Sequence, residues 1–253
     1  PLLFGSPALR RHPDGRPFLL NSAYLLATDG QILGRYDKQH LVPFGEYIPF
    51  HNSFLFFLDK LVEGIGDFES GPGPTTLSFS PKSWNTERSS GSRPVKFGVA
   101  ICYEVIFPDL VRQFAANGAE FLVTITNDGW FGPSSAPAQH FAMVVFRAVE
   151  NHLAFARAAN TGISGFIDPF GQIIDTTPLF IEQASYAIIP TKQTHTPPHT
   201  PTHPHPHPHP HPHTHTHTPT PTPTHPHPHQ TNYFQQLIFF YKKYYFSKKT
   251  IKN

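Results

Sequence analysis

Two apolar runs, Val95–Ile101 and 120–126, stand either side of a segment that opens with Pro108 and closes with Gly118. No other pattern in the chain narrows the possible folds as much. Each run has the length of a buried strand. Proline suits the first turn of a helix, and glycine the position just past its end. The intervening segment therefore reads as a helix, with Leu110, Val111 and Phe114 on one face. Residues 138–151 carry helical periodicity, and 153–159 and 162–167 read as two more strands. Pro169-Phe170-Gly171 is a turn across which 172–175 pairs back. Upstream, 21–28 alternates like a strand, Asp29-Gly30 signals a hairpin and 31–38 is the return strand. Residues 54–62 suit a short helix, and 64–94, rich in Gly, Ser and Pro, a surface excursion. Strands alternating with helices, and hairpins at the margins, predict an α/β or α+β chain built in layers.

From residue 191 this pattern stops. Residues 191–230 hold 13 of the 18 His and 13 of the 29 Pro, mostly as His-Pro and His-Thr repeats. Such a segment buries nothing that could offset its ordering entropy, so it is expected to be disordered. Imidazoles in series can chelate divalent metal, but a low-complexity repeat is the plainer reading. Residues 231–253 are aromatic and Lys-rich, too short and too charged to span a bilayer. They suit interfacial membrane binding or an extension foreign to the fold. The expected organisation is a folded domain over 1–190, the His/Pro/Thr segment over 191–230 and the Lys/aromatic tail over 231–253.

Charge divides at the same point. Residues 1–190 carry 13 Lys+Arg against all 17 Asp+Glu, whereas 191–253 carry six Lys and no acid. The basic character belongs to the tail, which gives no support to nucleic-acid binding by the folded part. Cys102 is the one cysteine, so an intrachain disulfide and a cysteine-cluster metal site are both excluded. No apolar run reaches the roughly 18 residues of a membrane-spanning helix. The N-terminus runs into Arg10 and Arg11 and does not read as a signal peptide, and the sole Met is Met143. The chain is thus expected to begin inside a domain.

Three segments carry residues suited to chemistry. In the first, Phe97-Gly98-Val99-Ala100-Ile101 leads into Cys102-Tyr103-Glu104, with Phe107-Pro108-Asp109-Leu110 following. A thiol on a tight strand-to-helix turn is exposed at a sheet edge, near a helix dipole that favours the thiolate. Backbone N–H groups just after it can form part of an oxyanion hole. A core cysteine closing a strand fits the same pattern. In the second, Tyr36-Asp37-Lys38-Gln39-His40-Leu41 precedes Glu46. Lys38 at a strand end can supply a fixed positive charge to a thiolate and an oxyanion, or be a solvated surface lysine. In the third, Asn127-Asp128-Gly129-Trp130-Phe131-Gly132 is followed by Gln139-His140. Trp130 and Phe131 are costly to expose at a loop tip, which suits a pocket wall or core packing. His140 suits a Cys–His pair or a satisfied structural histidine.

Together these segments resemble the nitrilase (carbon–nitrogen hydrolase) superfamily, and within it the apolipoprotein N-acyltransferase branch. The resemblance rests on Tyr36-Asp37-Lys38-Gln39-His40-Leu41-Val42-Pro43-Phe44-Gly45-Glu46-Tyr47, on Ile101-Cys102-Tyr103-Glu104 and on Asn127-Asp128-Gly129-Trp130-Phe131-Gly132. Gln139-His140 and Arg157-Ala158-Ala159-Asn160-Thr161-Gly162-Ile163-Ser164 also match, and the likeness runs over about residues 3–189. It implies a four-layer αββα sandwich and a Glu–Lys–Cys triad. It implies transfer of an acyl chain from a phospholipid, through a thioester on Cys102, to the diacylglyceryl-cysteine amine of an apolipoprotein. Lys38 would stabilise the oxyanion, Glu46 and Glu104 would support Lys38 and the reacting groups, and Tyr103 and Trp130, with Phe131, would line the acyl pocket. No metal or organic cofactor is implied. The implied location is the bacterial inner membrane with the catalytic domain on the periplasmic side; this chain alone is expected to be soluble or peripheral.

The family's general-base Glu lies on an earlier strand, and no acid precedes Asp14 here. The expectation is a fold incomplete at its N-terminus, lacking the family's membrane helices and weakened by the roughly 10²–10⁴-fold that a general base contributes. Two other functions fit parts of the sequence: a soluble amidase of the same superfamily, and a non-catalytic protein whose His-rich segment binds metal.

Overall fold

The computed structural model describes residues 1–47, 68–80 and 93–192, together with the backbone of 233–242. The expected helix over 54–62, the middle of the 64–94 excursion and the whole His/Pro/Thr repeat after residue 192 lie outside the described residues.

The centre is a six-stranded sheet in the order β4(Leu77–Phe79), β5(Val95–Ile101), β6(Phe121–Asn127), β7(Phe155–Asn160), β8(Gly165–Ile167), β9(Ile173–Thr176). β5, β6 and β7 are parallel neighbours, with Ile101 opposite Ile125 and Asn127 opposite Asn160. Parallel neighbours need a crossover, and helices α1(Pro108–Ala116) and α2(Ala136–Asn151) supply the two. The apolar runs 95–101 and 120–126 thus form inner strands; β5 is buried at all but one position, and β6 buries Phe121, Leu122 and Thr124 and opens toward its C-terminal end. α1 buries the expected Leu110, Val111 and Phe114. It approaches β5 at Gly98, where an added Cβ would stand 2.5 Å from Phe114 Cβ. β8 and β9 close the sheet as the expected hairpin, through a turn with Gly171 at φ 85°.

A second sheet, β1(Leu2–Arg11), β2(Pro17–Leu26) and β3(Ile32–Asp37), is an antiparallel meander. The Asp29-Gly30 signal is its second turn, with Gly30 at φ 88°. β1 has no clean apolar alternation: its ten residues are mostly exposed, and Ala8 alone is buried. This sheet lies over the face of the six-stranded sheet that is turned away from α1. Gly98 faces α1 and pairs with Leu122; Ile125, three residues on, points the other way, and its Cδ1 lies 3.2 Å from where a Cβ on Gly5 would stand. The described residues therefore build helices, sheet and sheet, three layers of an α/β sandwich.

The domain boundary expected at residue 190 falls within a strand. β10(Gln183–Lys192) runs two residues further and buries Thr191. It pairs antiparallel with β11(Tyr233–Lys242), so ten residues of the expected Lys/aromatic tail form a strand. Tyr233-Phe234-Gln235-Gln236-Leu237-Ile238-Phe239-Phe240-Tyr241 is rich in aromatic and branched residues of strand type, and β10 offers it an edge. Among the described residues, no helix is long and apolar enough to cross a membrane.

Candidate active site

The C-terminal ends of β5, β6 and β7 open into a cleft of about 400 Å³, lined by Ile101, Cys102, Ile125–Asn127, Trp130 and 158–160. The second sheet closes it with Gly5 and Asn21, and the loop after β3 contributes Glu46. The outer ends of parallel strands are where open α/β sheets bind ligands, because side chains and loops converge there while backbone pairing ends.

Cys102 follows β5 directly and starts a short 3-10 helix, Cys102–Ile106, with α1 beginning only at Pro108. The thiol therefore stands at one short turn, six residues before the helix whose dipole the sequence suggested would act on it. Cys102 takes a left-handed backbone conformation, φ 53°, which is unfavourable for any residue with a Cβ. Such a conformation persists only where its surroundings over-determine it. Two side chains grip this turn. Glu104 Oε2 accepts from the Ile101 N–H at 2.7 Å, and His140 Nε2 lies 3.1 Å from the Cys102 carbonyl oxygen.

Glu104 is fully buried. Its Oε1 accepts from Tyr36 Oη at 2.8 Å, from Gln39 N at 2.7 Å and from His40 N at 3.3 Å. It thus ties the end of β3 to the cysteine turn. Burial pushes its carboxyl above the usual value, against the pull of the Ile101, Gln39 and His40 N–H groups and the Tyr36 hydroxyl. The same burial, with the Glu104 charge alongside, pushes the Tyr36 phenol far up.

The Lys38 side chain is 1% exposed. Its ammonium donates to both oxygens of Glu46, at 2.9 and 2.7 Å. Glu46 also accepts from Asn21 Nδ2 at 2.6 Å and Val42 N at 2.8 Å. A carboxylate has about four lone-pair positions, and all are engaged. The alternative of a solvated surface Lys38 is excluded; the lysine is a buried charge with one carboxylate partner among the described residues.

The sequence candidates separate accordingly. Cys102, Glu46 and Trp130 line the cleft, and Lys38 joins them through Glu46. Glu104 stands behind the turn. Tyr103 packs edge-on against Phe107, with ring centroids 5.0 Å apart, and is not among the lining residues. Phe131 sits edge-on to His140 and also lies outside the lining. Trp130 is 85% exposed, which excludes core packing for it. His140 faces the cysteine's carbonyl oxygen, so a thiol–imidazole pair is not what this geometry forms.

Sequence reading missed the pair Asn127–Asn160. These residues bond side chain to side chain at 2.9 Å on the cleft floor, and no local pattern links positions 33 residues apart. It also missed Arg157, fully buried on β7, which donates to Asp128 Oδ2 at 2.7 Å and to the Ile163 carbonyl at 2.9 Å. Among the described residues, no cluster of His, Cys, Asp and Glu is arranged to hold a metal ion.

The Carbon-nitrogen hydrolase family matches residues 2–196. The chain is 48% identical over 178 residues to an apolipoprotein N-acyltransferase of Geobacter metallireducens, a match covering 70% of this chain and 31% of the relative. It is 41% identical over 192 residues to apolipoprotein N-acyltransferase 2 of Treponema denticola, covering 75% and 34%. Among solved structures, an amidase from Nesterenkonia sp. AN1 aligns with a TM-score of 0.46 and 25% identity, over 70% of this chain and 56% of the amidase. The chain thus spans about a third of the length of these curated relatives.

Proposed function

The chain belongs to the carbon–nitrogen hydrolase family, and from that membership we propose that it is the acyl-transferring part of an apolipoprotein N-acyltransferase. Cys102 is its nucleophile. The observation that carries this reading is the thiol at the cleft end of β5, with the buried Lys38–Glu46 pair beside it. The names of the relatives in Geobacter and Treponema support acyl transfer rather than hydrolysis. The exposed Trp130 at the cleft gives an apolar donor a surface to meet.

In the first half-reaction Cys102 Sγ attacks the ester carbonyl of a phospholipid. The C–O bond breaks, the lysophospholipid alkoxide leaves with a proton, and a thioester forms. The Lys38 ammonium and a backbone N–H after Cys102 stabilise the intermediate's oxyanion. Glu46 holds Lys38 in place. Its own lone pairs are engaged, so it is not the acceptor of the thiol proton. In the second half-reaction the α-amine of a diacylglyceryl-cysteine attacks the thioester, an amide forms and the thiol is regenerated. Lipid donor and lipidated acceptor both place this chemistry at a membrane surface, the bacterial inner membrane on its periplasmic side. Tyr103 and Phe131 are proposed to bound the acyl chain from behind the cleft.

The test supplies phosphatidylethanolamine alone, then with a diacylglyceryl lipopeptide, then a small ω-amide. Peptides are read by mass spectrometry. The expected result is an acyl mass on the Cys102 peptide that hydroxylamine removes, that Cys102→Ala lacks and that the lipopeptide discharges. An adduct from the amide but none from phospholipid would replace this reading with an amidase.

A further inference from the structure

Behind Cys102 lies a buried polar cluster that the mechanism above does not use. His140 projects from α2, Asp128 from the turn after β6 and Arg157 from β7; their side chains are 7%, 0% and 0% exposed. His140 Nδ1 stands 3.0 Å from Asp128 Oδ1 and 3.2 Å from Arg157 Nη2, while His140 Nε2 faces the Cys102 carbonyl at 3.1 Å. Thr126 Oγ1 adds a bond to Asp128 Oδ1 at 3.0 Å. Of the two imidazole nitrogens, Nε2 meets only the carbonyl oxygen among the described residues, and a carbonyl oxygen only accepts. Nε2 therefore carries a proton and donates it to the cysteine's backbone.

Resting on the reading of Cys102 as the acyl-bearing nucleophile, we propose that His140 is a positioning residue for it. Oriented by Asp128 and Arg157, the imidazole holds the Cys102 peptide in its left-handed conformation and so aims the thiol at the cleft. The observations converge. The cysteine occupies a backbone conformation that needs outside support. Its N-terminal side is held by Glu104 through Ile101, and its C-terminal side by His140 through the carbonyl. His140 is in turn fixed by a carboxylate that three partners orient: the imidazole, Arg157 and Thr126. Gly162 brings the next loop against this carboxylate, since an added Cβ there would overlap the Asp128 side chain. Charge supports the same placement. Burial draws the Arg157 guanidinium down from its ordinary range, against the pull of the Asp128 carboxylate that it meets at 2.7 Å.

Two substitutions separate the two bonds of the imidazole. Asparagine places its amide nitrogen near the Nδ1 position, reaching Asp128 but not the cysteine carbonyl. Glutamine places it near Nε2, reaching the carbonyl. The full chain is exposed to a p-nitrophenyl acyl ester at about pH 8.5, near the ordinary thiol pKa. Acylation of Cys102 is followed by mass, and its alkylation by iodoacetamide is followed in parallel. The expected result is that His140→Asn lowers the maximal acylation rate about 10-fold or more, in line with a step set by sub-ångström alignment. The half-saturating ester concentration stays within about twofold, and His140→Gln recovers most of the rate. Alkylation uses no oxyanion site, so it changes by less than about threefold in both variants. Equal acylation by wild type and His140→Asn overturns the proposal, as does an equal fall in both variants. Absence of any acyl adduct in the wild type is a different signature: it overturns the nucleophile reading and the positioning proposal together.

Discussion

Glu46→Gln tests the part of the site that the structure makes most expensive to disturb. The substitution keeps the side chain's size but removes the only anion touching the Lys38 ammonium among the described residues. Lys38 is 1% exposed and Glu46 14%, so little water reaches the orphaned charge. Breaking one partner from a buried pair costs about 3–5 kcal/mol. The glutamine NH₂ would also face a donor, either Asn21 Nδ2 or Val42 N, where the carboxylate faced both as an acceptor. The residual exposure of Glu46 argues for the lower end, about 3 kcal/mol. That is a large part of the 5–15 kcal/mol typical of whole domains. Lys38→Met is expected to cost less, because the remaining carboxylate keeps two donors and some solvent. The double variant then costs less than the sum of the singles by about 2 kcal/mol or more. Urea unfolding of the four proteins at neutral pH, with equal m-values, measures this coupling directly. A Glu46→Gln loss below about 1 kcal/mol, or additive single effects, would refute the assignment of Lys38 as a buried, singly compensated cation.

Three further outcomes are expected. Gly98→Ala sets a methyl 2.5 Å from Phe114 Cβ and 2.8 Å from Leu122 Cδ2, so α1 must shift away from β5; a loss of about 1–3 kcal/mol in urea unfolding is expected. Asp128 responds to acid with a definite sign. Burial alone would raise its carboxyl, but the His140 bond and the Arg157 charge hold it below the usual value. Its contribution is therefore complete above the unfolded-state value and is lost as pH falls through the lower folded value. Wild type should lose more stability than Asp128→Asn between about pH 5 and pH 2, read by denaturant midpoints. Trp130→Ala should leave stability within about 0.5 kcal/mol, since the ring is 85% exposed, while raising the half-saturating concentration of a long-chain ester.

How much of this was legible in the sequence follows from the range over which each feature is decided. β5, α1, β6, α2 and the β8–β9 hairpin could be read because apolar runs, Pro108, Gly118 and the Pro169-Phe170-Gly171 turn act within a few residues of themselves. So could Cys102, as a cysteine closing a buried run, and so could the family resemblance, carried by contiguous motifs. β1 could not: its residues are mostly exposed and its partner β2 holds it by backbone pairing, which leaves no apolar rhythm. The pairing of β10 with Tyr233–Lys242 was hidden for another reason: the two strands stand about 40 residues apart in the chain, beyond the reach of any local pattern.

Burial and partnership were decided only by the tertiary structure. A lysine at a strand end reads as solvated until a loop eight residues on brings Glu46 to it. Glu104 is expected from the resemblance to support Lys38 and the reacting groups, but only the fold shows that it does so buried among Tyr36, Gln39 and His40, some 65 residues earlier. His140 suits either a thiol pair or a structural histidine until the fold turns it to the cysteine's backbone. Local sequence determines where chain can extend or coil, because propensity and turn chemistry are short-range energies. The charge state and task of a side chain depend on desolvation and on partners, and those are set by which strands and loops the whole fold brings to one place.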